Sequence, residues 1–318
     1  MVTRDRRWPA GTPCWVDVSV DDVPKAIAFY QALFGWDIQA GGPEVGGYAI
    51  AHHHDRIVAG LGPKFGAPDA PSAWTTYLAA DDADAIAEKI KAAGGQVVQG
   101  PMDVMEEGRM AIAFDTTGAP FGLWQGGRTT GVGLANQTGA LTWNEHVSWD
   151  FDAGKAFYRA VFGYDYQDVS GDGFRYAMLM VDGREVGGIG QYLPGTPAGT
   201  PAAWGVYFAV DDTDAAVAAA VEHGGSVVRP IRDSPYGRTG VVTDNQGAVF
   251  SLISSPQPQV SQPAGELSRS VGRTSYIPNG PATSSGTTTS PTHQARRRAT
   301  RVPECGKRLP EFVRSHFS

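Results

Sequence analysis

Apolar and polar positions alternate along CWVDVSV, residues 14–20, which predicts a half-buried strand. That strand runs straight into Asp21-Asp22, a pair whose short carboxylates suit the exposed amides at a helix start. Ile27, Tyr30 and Leu33 then recur at helical spacing, and Gly35 ends the helix. Strands follow around Tyr48–Ala51 and Ile57–Leu61, joined by a tight turn at His53-His54-Asp55. The plan then returns. WTTYLAA at 74–80 reads as a strand, Asp81-Asp82 cap a helix ending at Gly94-Gly95, QVV is a strand, and MAIAFDTTGAPFGLWQ is a hairpin around Thr117-Gly118.

The stretch 12–126 has a second copy. Residues 15–36, WVDVSVDDVPKAIAFYQALFGW, lie over residues 143–164, WNEHVSWDFDAGKAFYRAVFGY, at an offset of 128 without a gap. Trp15 meets Trp143, Asp17 meets Glu145, and Phe29-Tyr30 meets Phe157-Tyr158. Residues 74–98 match 204–228 at an offset of 130. Gly108-Arg109 then matches Gly237-Arg238, and Asp115-x-x-Gly118 matches Asp244-x-x-Gly247, both at 129. Length differences fall between elements, where loops absorb them. The expected organisation is an arm over 1–11, a domain over 12–126, a linker over 127–138, a second domain over 139–254 and a tail over 255–318. Each domain is α+β, two βαβββ modules forming one cupped mixed sheet.

Composition sets limits on the remainder. The tail, rich in Pro, Ser, Thr and Gly, has too few large apolar residues to offset its ordering entropy and reads as disordered. It holds nine Lys/Arg against three acids, so an overall charge of -7 leaves the body at -13. An acidic body repels phosphate backbones and argues against nucleic acid; the RRR cluster at 296–298 reads as a solvated run. There is no apolar run of membrane length and no apolar leader, so the expectation is a cytoplasmic protein without a membrane partner. Cys14 and Cys305 do not make a disulfide framework.

The strand, acidic cap, helix bearing AFY and ending LFGW, and the second module closing on D-x-x-G together resemble the vicinal-oxygen-chelate superfamily, which includes glyoxalases, bleomycin-resistance proteins and dioxygenases. The resemblance covers about 12–125 and 139–253, and the doubled arrangement looks like a tandem subgroup common in actinobacteria. It implies a divalent ion held in each cup by His, Gln or Glu. Those ligands would stand seven residues before the helix-capping acid and four after the Gly of D-x-x-G. Counted from Asp22 and Asp81, and from Asp150 and Asp211, the first positions are Trp15, Trp74, Trp143 and Trp204; the others are Gly122 and Ser251. Indole offers a metal no lone pair, so neither a metal nor any other cofactor is expected.

The candidate ligand-binding set is therefore Trp15, Asp17, Trp74, Trp124, Trp143, Glu145, Trp204 and Arg238. Strand parity puts Asp17 and Glu145 on the face of their neighbouring tryptophans. Each carboxylate is either a general base or ligand acceptor, or a buried acid satisfied by Arg109 or Arg238. The indoles either wall an open cleft or fill it as core. His52-His53-His54 falls at a turn, where successive residues point apart, and His146 and His223 have Val18 and Ala93 as counterparts in the first copy and read as packing or surface residues. The expected function is metal-free binding or tailoring of an aromatic natural product in antibiotic biosynthesis or resistance. The alternatives are a glyoxalase-type lyase or dioxygenase, and a structural protein with solid cups. Two repeats in one chain make a pseudo-dimer compatible with a monomer.

Overall fold

The computed structural model describes residues 2–64 and 70–255. After a two-residue strand β1 (Val2–Thr3), the first repeat runs β2 (Pro13–Val20), α1 (Val23–Phe34), β3 (Asp37–Ala40), β4 (Ala49–His53) and β5 (Arg56–Pro63). Its second module runs β6 (Ala73–Ala79), α2 (Ala83–Ala92), β7 (Gln96–Val104), β8 (Gly108–Phe114) and β9 (Pro120–Gly126). Strand β10 (Leu134–Ala135) leads into the second repeat: β11 (Leu141–Ser148), α3 (Phe151–Phe162), β12 (Asp165–Asp168), β13 (Tyr176–Val181) and β14 (Arg184–Gln191). The chain continues as β15 (Ala203–Ala209), α4 (Thr213–Glu222), β16 (Ser226–Ser234), β17 (Gly237–Thr243) and β18 (Val249–Ser254). The fold is α+β with two tandem repeats, each a pair of βαβββ modules, as the sequence predicts.

Each repeat builds a mixed sheet in the same order, β3-β4-β5-β2-β6-β9-β8-β7 and β12-β13-β14-β11-β15-β18-β17-β16. The first strands of the two modules, β2 with β6 and β11 with β15, pair antiparallel at the centre. In each module the helix carries the chain to the sheet edge, and the antiparallel meander that follows returns a strand parallel to the first, β5 beside β2 and β9 beside β6. Asp22, Asp82, Asp150 and Asp212 cap the four helices, each accepting a backbone N–H three residues on. Gly35 and Gly163 close α1 and α3 in the left-handed conformation that glycine adopts without strain.

The helices lie between the sheets, α1 against α4 and α2 against α3. Each first helix packs on the other repeat's sheet. Phe29 and Phe34 of α1 meet Phe250 and Phe208 of the second repeat, and Phe157 and Tyr158 of α3 meet Phe121 of the first. The polar contacts follow the same exchange. Tyr30 donates to Asp244 at 3.0 Å and receives Trp74 Nε1 at 3.0 Å. Tyr158 donates to Asp115 at 2.9 Å and receives Trp204 Nε1 at 2.6 Å. The AFY tyrosine of each repeat thus closes the D-x-x-G turn of the other. The two seams are not identical: fully buried His146 places Nε2 2.9 Å from Asp115 Oδ2, where the first repeat has Val18. Burial opposes ionisation of Asp115, but hydrogen bonds from His146, Thr117 and the Ala119 amide hold its carboxyl below the usual range.

The stretch expected as a linker, 127–138, is built into the fold. Val132, Leu134 and Ala135 are buried, and β10 pairs with both β1 and β11. The basic tail lies, from residue 256 onward, outside the described residues, as does Cys305. Among the described residues, no helix is long and apolar enough to cross a membrane.

Candidate functional site

The face of each sheet turned away from the helices carries the same four-residue constellation. In the first cup, Tyr48 and Tyr77 both donate to Asp17 Oδ2, at 2.9 and 3.0 Å, and Trp15 Nε1 donates to the Tyr48 hydroxyl oxygen at 3.3 Å. In the second, Tyr176 donates to Glu145 Oε2 at 2.9 Å, Tyr207 donates to Oε1, and Trp143 Nε1 donates to Tyr176 at 2.9 Å. Strand glycines make room for these rings. Tyr48 lies over Gly60 and Gly62 of β5, and Tyr176 over Gly188 and Gly190 of β14, where a Cβ would collide with the phenol.

Trp15, Asp17, Trp143 and Glu145 share these faces, as strand parity requires. Trp74 and Trp204 do not: they face the helices and belong to the seams between repeats. The expectation of two facing indoles per cup is corrected by one residue. The caps of α2 and α4 are Asp82 and Asp212, not Asp81 and Asp211. Counting from the true caps gives Thr75 and Gly205 as the counterparts of Trp15 and Trp143, and a one-residue step reverses the face. Trp124 is on the cup face beside Met110 and donates to the Thr129 carbonyl at 2.9 Å. Arg238 lies outside the cup, held by Asp214 and Asp233, and Arg109 is held likewise by Asp84 and Asp103. Neither arginine partners Asp17 or Glu145; tyrosines do. His52-His53-His54 lies at the β4–β5 turn, where His54 and Asp55 take positive φ, and His223 is exposed at the end of α4.

Sequence reasoning missed Tyr48, Tyr77, Tyr176 and Tyr207. A signal was present, since Tyr48 and Tyr176 recur at offset 128 and Tyr77 and Tyr207 at 130.

Burial separates the two cups. In the first cup Trp15, Asp17 and Tyr77 are below 9% exposed and only Tyr48 is partly open, whereas in the second Trp143, Glu145, Tyr176 and Tyr207 are each partly open. Burial lifts the Asp17 carboxyl from its usual 3.8 to about 6, against the opposing hydrogen bonds of Tyr48 and Tyr77. The fold therefore prefers the neutral acid. The stability this supplies is full below about pH 4 and is lost as pH rises through about 6, about 3 kcal/mol in all. Asp17→Asn keeps an acceptor for both hydroxyls without the charge. Chemical denaturation of parent and variant is expected to show the difference moving by about that amount in the variant's favour between pH 4 and 7.5.

The ion implied by the resemblance finds no matching donors. At the positions given by the structure stand Trp15, Thr75 and Gly122, and Trp143, Gly205 and Ser251. The one carboxylate in each cup already accepts two tyrosines, and among the described residues no three His, Cys, Asp or Glu converge. The residues present do not fit a divalent ion.

A family model for the glyoxalase/bleomycin resistance protein/dioxygenase superfamily matches residues 14–123 and 147–252. The chain belongs to this superfamily. It is 42% identical over 255 residues to CFP32 of Mycobacterium tuberculosis, a protein provisionally named a glyoxylase, covering 78% of this chain and 96% of that one. It is 36% identical over 261 residues to the anthracycline biosynthesis protein DnrV of Streptomyces peucetius, covering 78% and 94%. Among solved structures, the Mn(II)-bound glyoxalase from Novosphingobium aromaticivorans superposes with a TM-score of 0.55 at 18% identity, covering 78% of this chain and 83% of that one. At that identity the likeness is one of fold.

Proposed function

We propose that this superfamily member is a metal-independent binding or tailoring protein for a planar, ring-bearing small metabolite, held in the second cup. The observation that carries the reading is the partly exposed set Trp143, Glu145, Tyr176 and Tyr207, an aromatic wall around one carboxylate that accepts hydrogen bonds. In the first cup the matching positions are more closed: Trp15, Asp17 and Tyr77 are buried and Tyr48 is partly open. A relative named for anthracycline biosynthesis supports a natural product as the ligand class. The name glyoxylase on the 42% relative favours lyase chemistry instead, but that chemistry requires a Lewis acid, for which the cups carry no donor set.

Titration with planar aromatic compounds, anthraquinones among them, is expected to quench tryptophan fluorescence, and Trp143→Ala to weaken binding by about 1–3 kcal/mol with the fold intact. Equal binding by parent and variant would remove the second cup as the site. Elemental analysis of dialysed protein is expected to find no stoichiometric Zn, Ni, Fe or Mn; about one ion per repeat would return the lyase reading.

A further inference from the structure

The second cup has a charged wall that the first lacks. Register pairing places Trp143 beside Tyr207, Tyr207 beside Ser251, Ser251 beside Val241 and Val241 beside Arg229. Residues paired across neighbouring strands share a face, so this row puts Arg229 on the same side as the tryptophan and tyrosine of the cup. Arg232 stands beside Thr239, and Thr239 beside Ile253, in the next row on that face. The corresponding rows of the first repeat end in Gln99 and Met102, reached through Ile112 and Met110. Two uncharged positions in one cup are thus two guanidiniums in the other.

Neither guanidinium is committed elsewhere. Among the described residues, Arg229 and Arg232 form no ion pair, while Arg238 and Arg175 of the same repeat are held by Asp214, Asp233 and Asp152. Both are exposed, and their charges reach into the cup. The Tyr207 hydroxyl is pushed well up by burial and by Glu145, and Arg232 acts on it in the opposite sense; Arg229 acts so on Tyr192. Glu145 forms no ion pair with either; its two oxygens accept Tyr176 and Tyr207. An unpaired guanidinium fork facing an aromatic wall matches a planar oxyanion attached to a ring.

We propose that the second cup selects ring-bearing small molecules that carry an anionic oxygen group, a carboxylate foremost, and that Arg229 and Arg232 determine that specificity. The proposal rests on the second cup being the ligand site. The ring lies along Trp143 and Tyr207, and the oxyanion meets the arginines on the far wall.

Two probes with one ring separate the proposal from its premise: 2-naphthoate and 2-naphthamide, titrated calorimetrically into the full chain. Naphthoate is expected to bind about tenfold tighter, the weight of one charge-assisted pair, with an advantage that shrinks as salt rises. In the Arg229→Gln, Arg232→Gln double variant, naphthoate should fall to the level of the amide and the amide should not change. Unchanged melting confirms that the variant folds. If both probes bind the parent equally, or the variant loses both alike, the charge selection is wrong while ring binding stands. If neither probe binds, the proposal and the reading beneath it fall together.

Discussion

Trp204→Ala is expected to lower the unfolding free energy by about 3–5 kcal/mol and to leave ligand binding in the second cup unchanged once the protein is folded. The indole is 5% exposed and sits between β15 and α3, with its ring against Tyr158 and His146. Its Nε1 donates to Tyr158, which donates in turn to Asp115. Removing it opens a cavity and takes a hydrogen bond from a buried phenol, two costs that relaxation of the packed seam only partly recovers. Trp74→Ala should behave alike, because Trp74 donates to Tyr30 in the reciprocal seam. Chemical denaturation gives the stability, and fluorescence titration of the folded variant gives the affinity. Loss of binding with less than about 1 kcal/mol lost in stability would put Trp204 back in the ligand site.

The second large effect follows from severing the repeats. Residues 1–138 expressed alone are expected to show no cooperative unfolding as a monomer, although they hold a complete βαβββ pair. Separation would bare Phe29, Tyr30, Phe34 and Trp36, which are buried in the whole chain against Phe208, Phe250 and their neighbours. At about 1.5–3 kcal/mol for each large apolar side chain, the loss is about 6–12 kcal/mol, as large as the whole stability of an ordinary domain. Trp36 would also lose its acceptor, the Gly139 carbonyl at 2.7 Å. Such a fragment should bind hydrophobic dyes, and residues 139–255 added in trans should suppress the binding. The intact chain should unfold in one transition, with near- and far-ultraviolet dichroism coincident. A cooperative monomeric half would show that each repeat closes its own core.

Much of this architecture is legible in the sequence because it rests on local rules: alternation for strands, acidic caps and terminal glycines for helices, and a repeat that states the plan twice. The site is less legible, and the reason is parity. Asp81 and Asp82 are equally good caps on paper, yet choosing between them decides whether Trp74 faces a ligand or a helix. The tyrosines of the cups lie on strands remote from the carboxylates they serve, so periodicity in any one segment says nothing of their meeting. Arg229 and Arg232 are harder still, since the β16–β17 pairing slips between them and their shared face exists only in the observed register. The tyrosine of AFY and the aspartate of D-x-x-G mark the family in a single copy, but their contact is between copies.

The central strands divide labour by parity. On β11, Asn144 and His146 face the other repeat, through Thr76 and Asp115, while Trp143 and Glu145 face the cup. Assembly and the proposed recognition are therefore encoded in interleaved positions of the same eight residues, back to back and one peptide apart. A library varied at 143, 145, 176, 207, 229 and 232 would explore new ligands without touching one aromatic ring of the seam, so this scaffold can be given a new binding repertoire while its assembly code stays fixed.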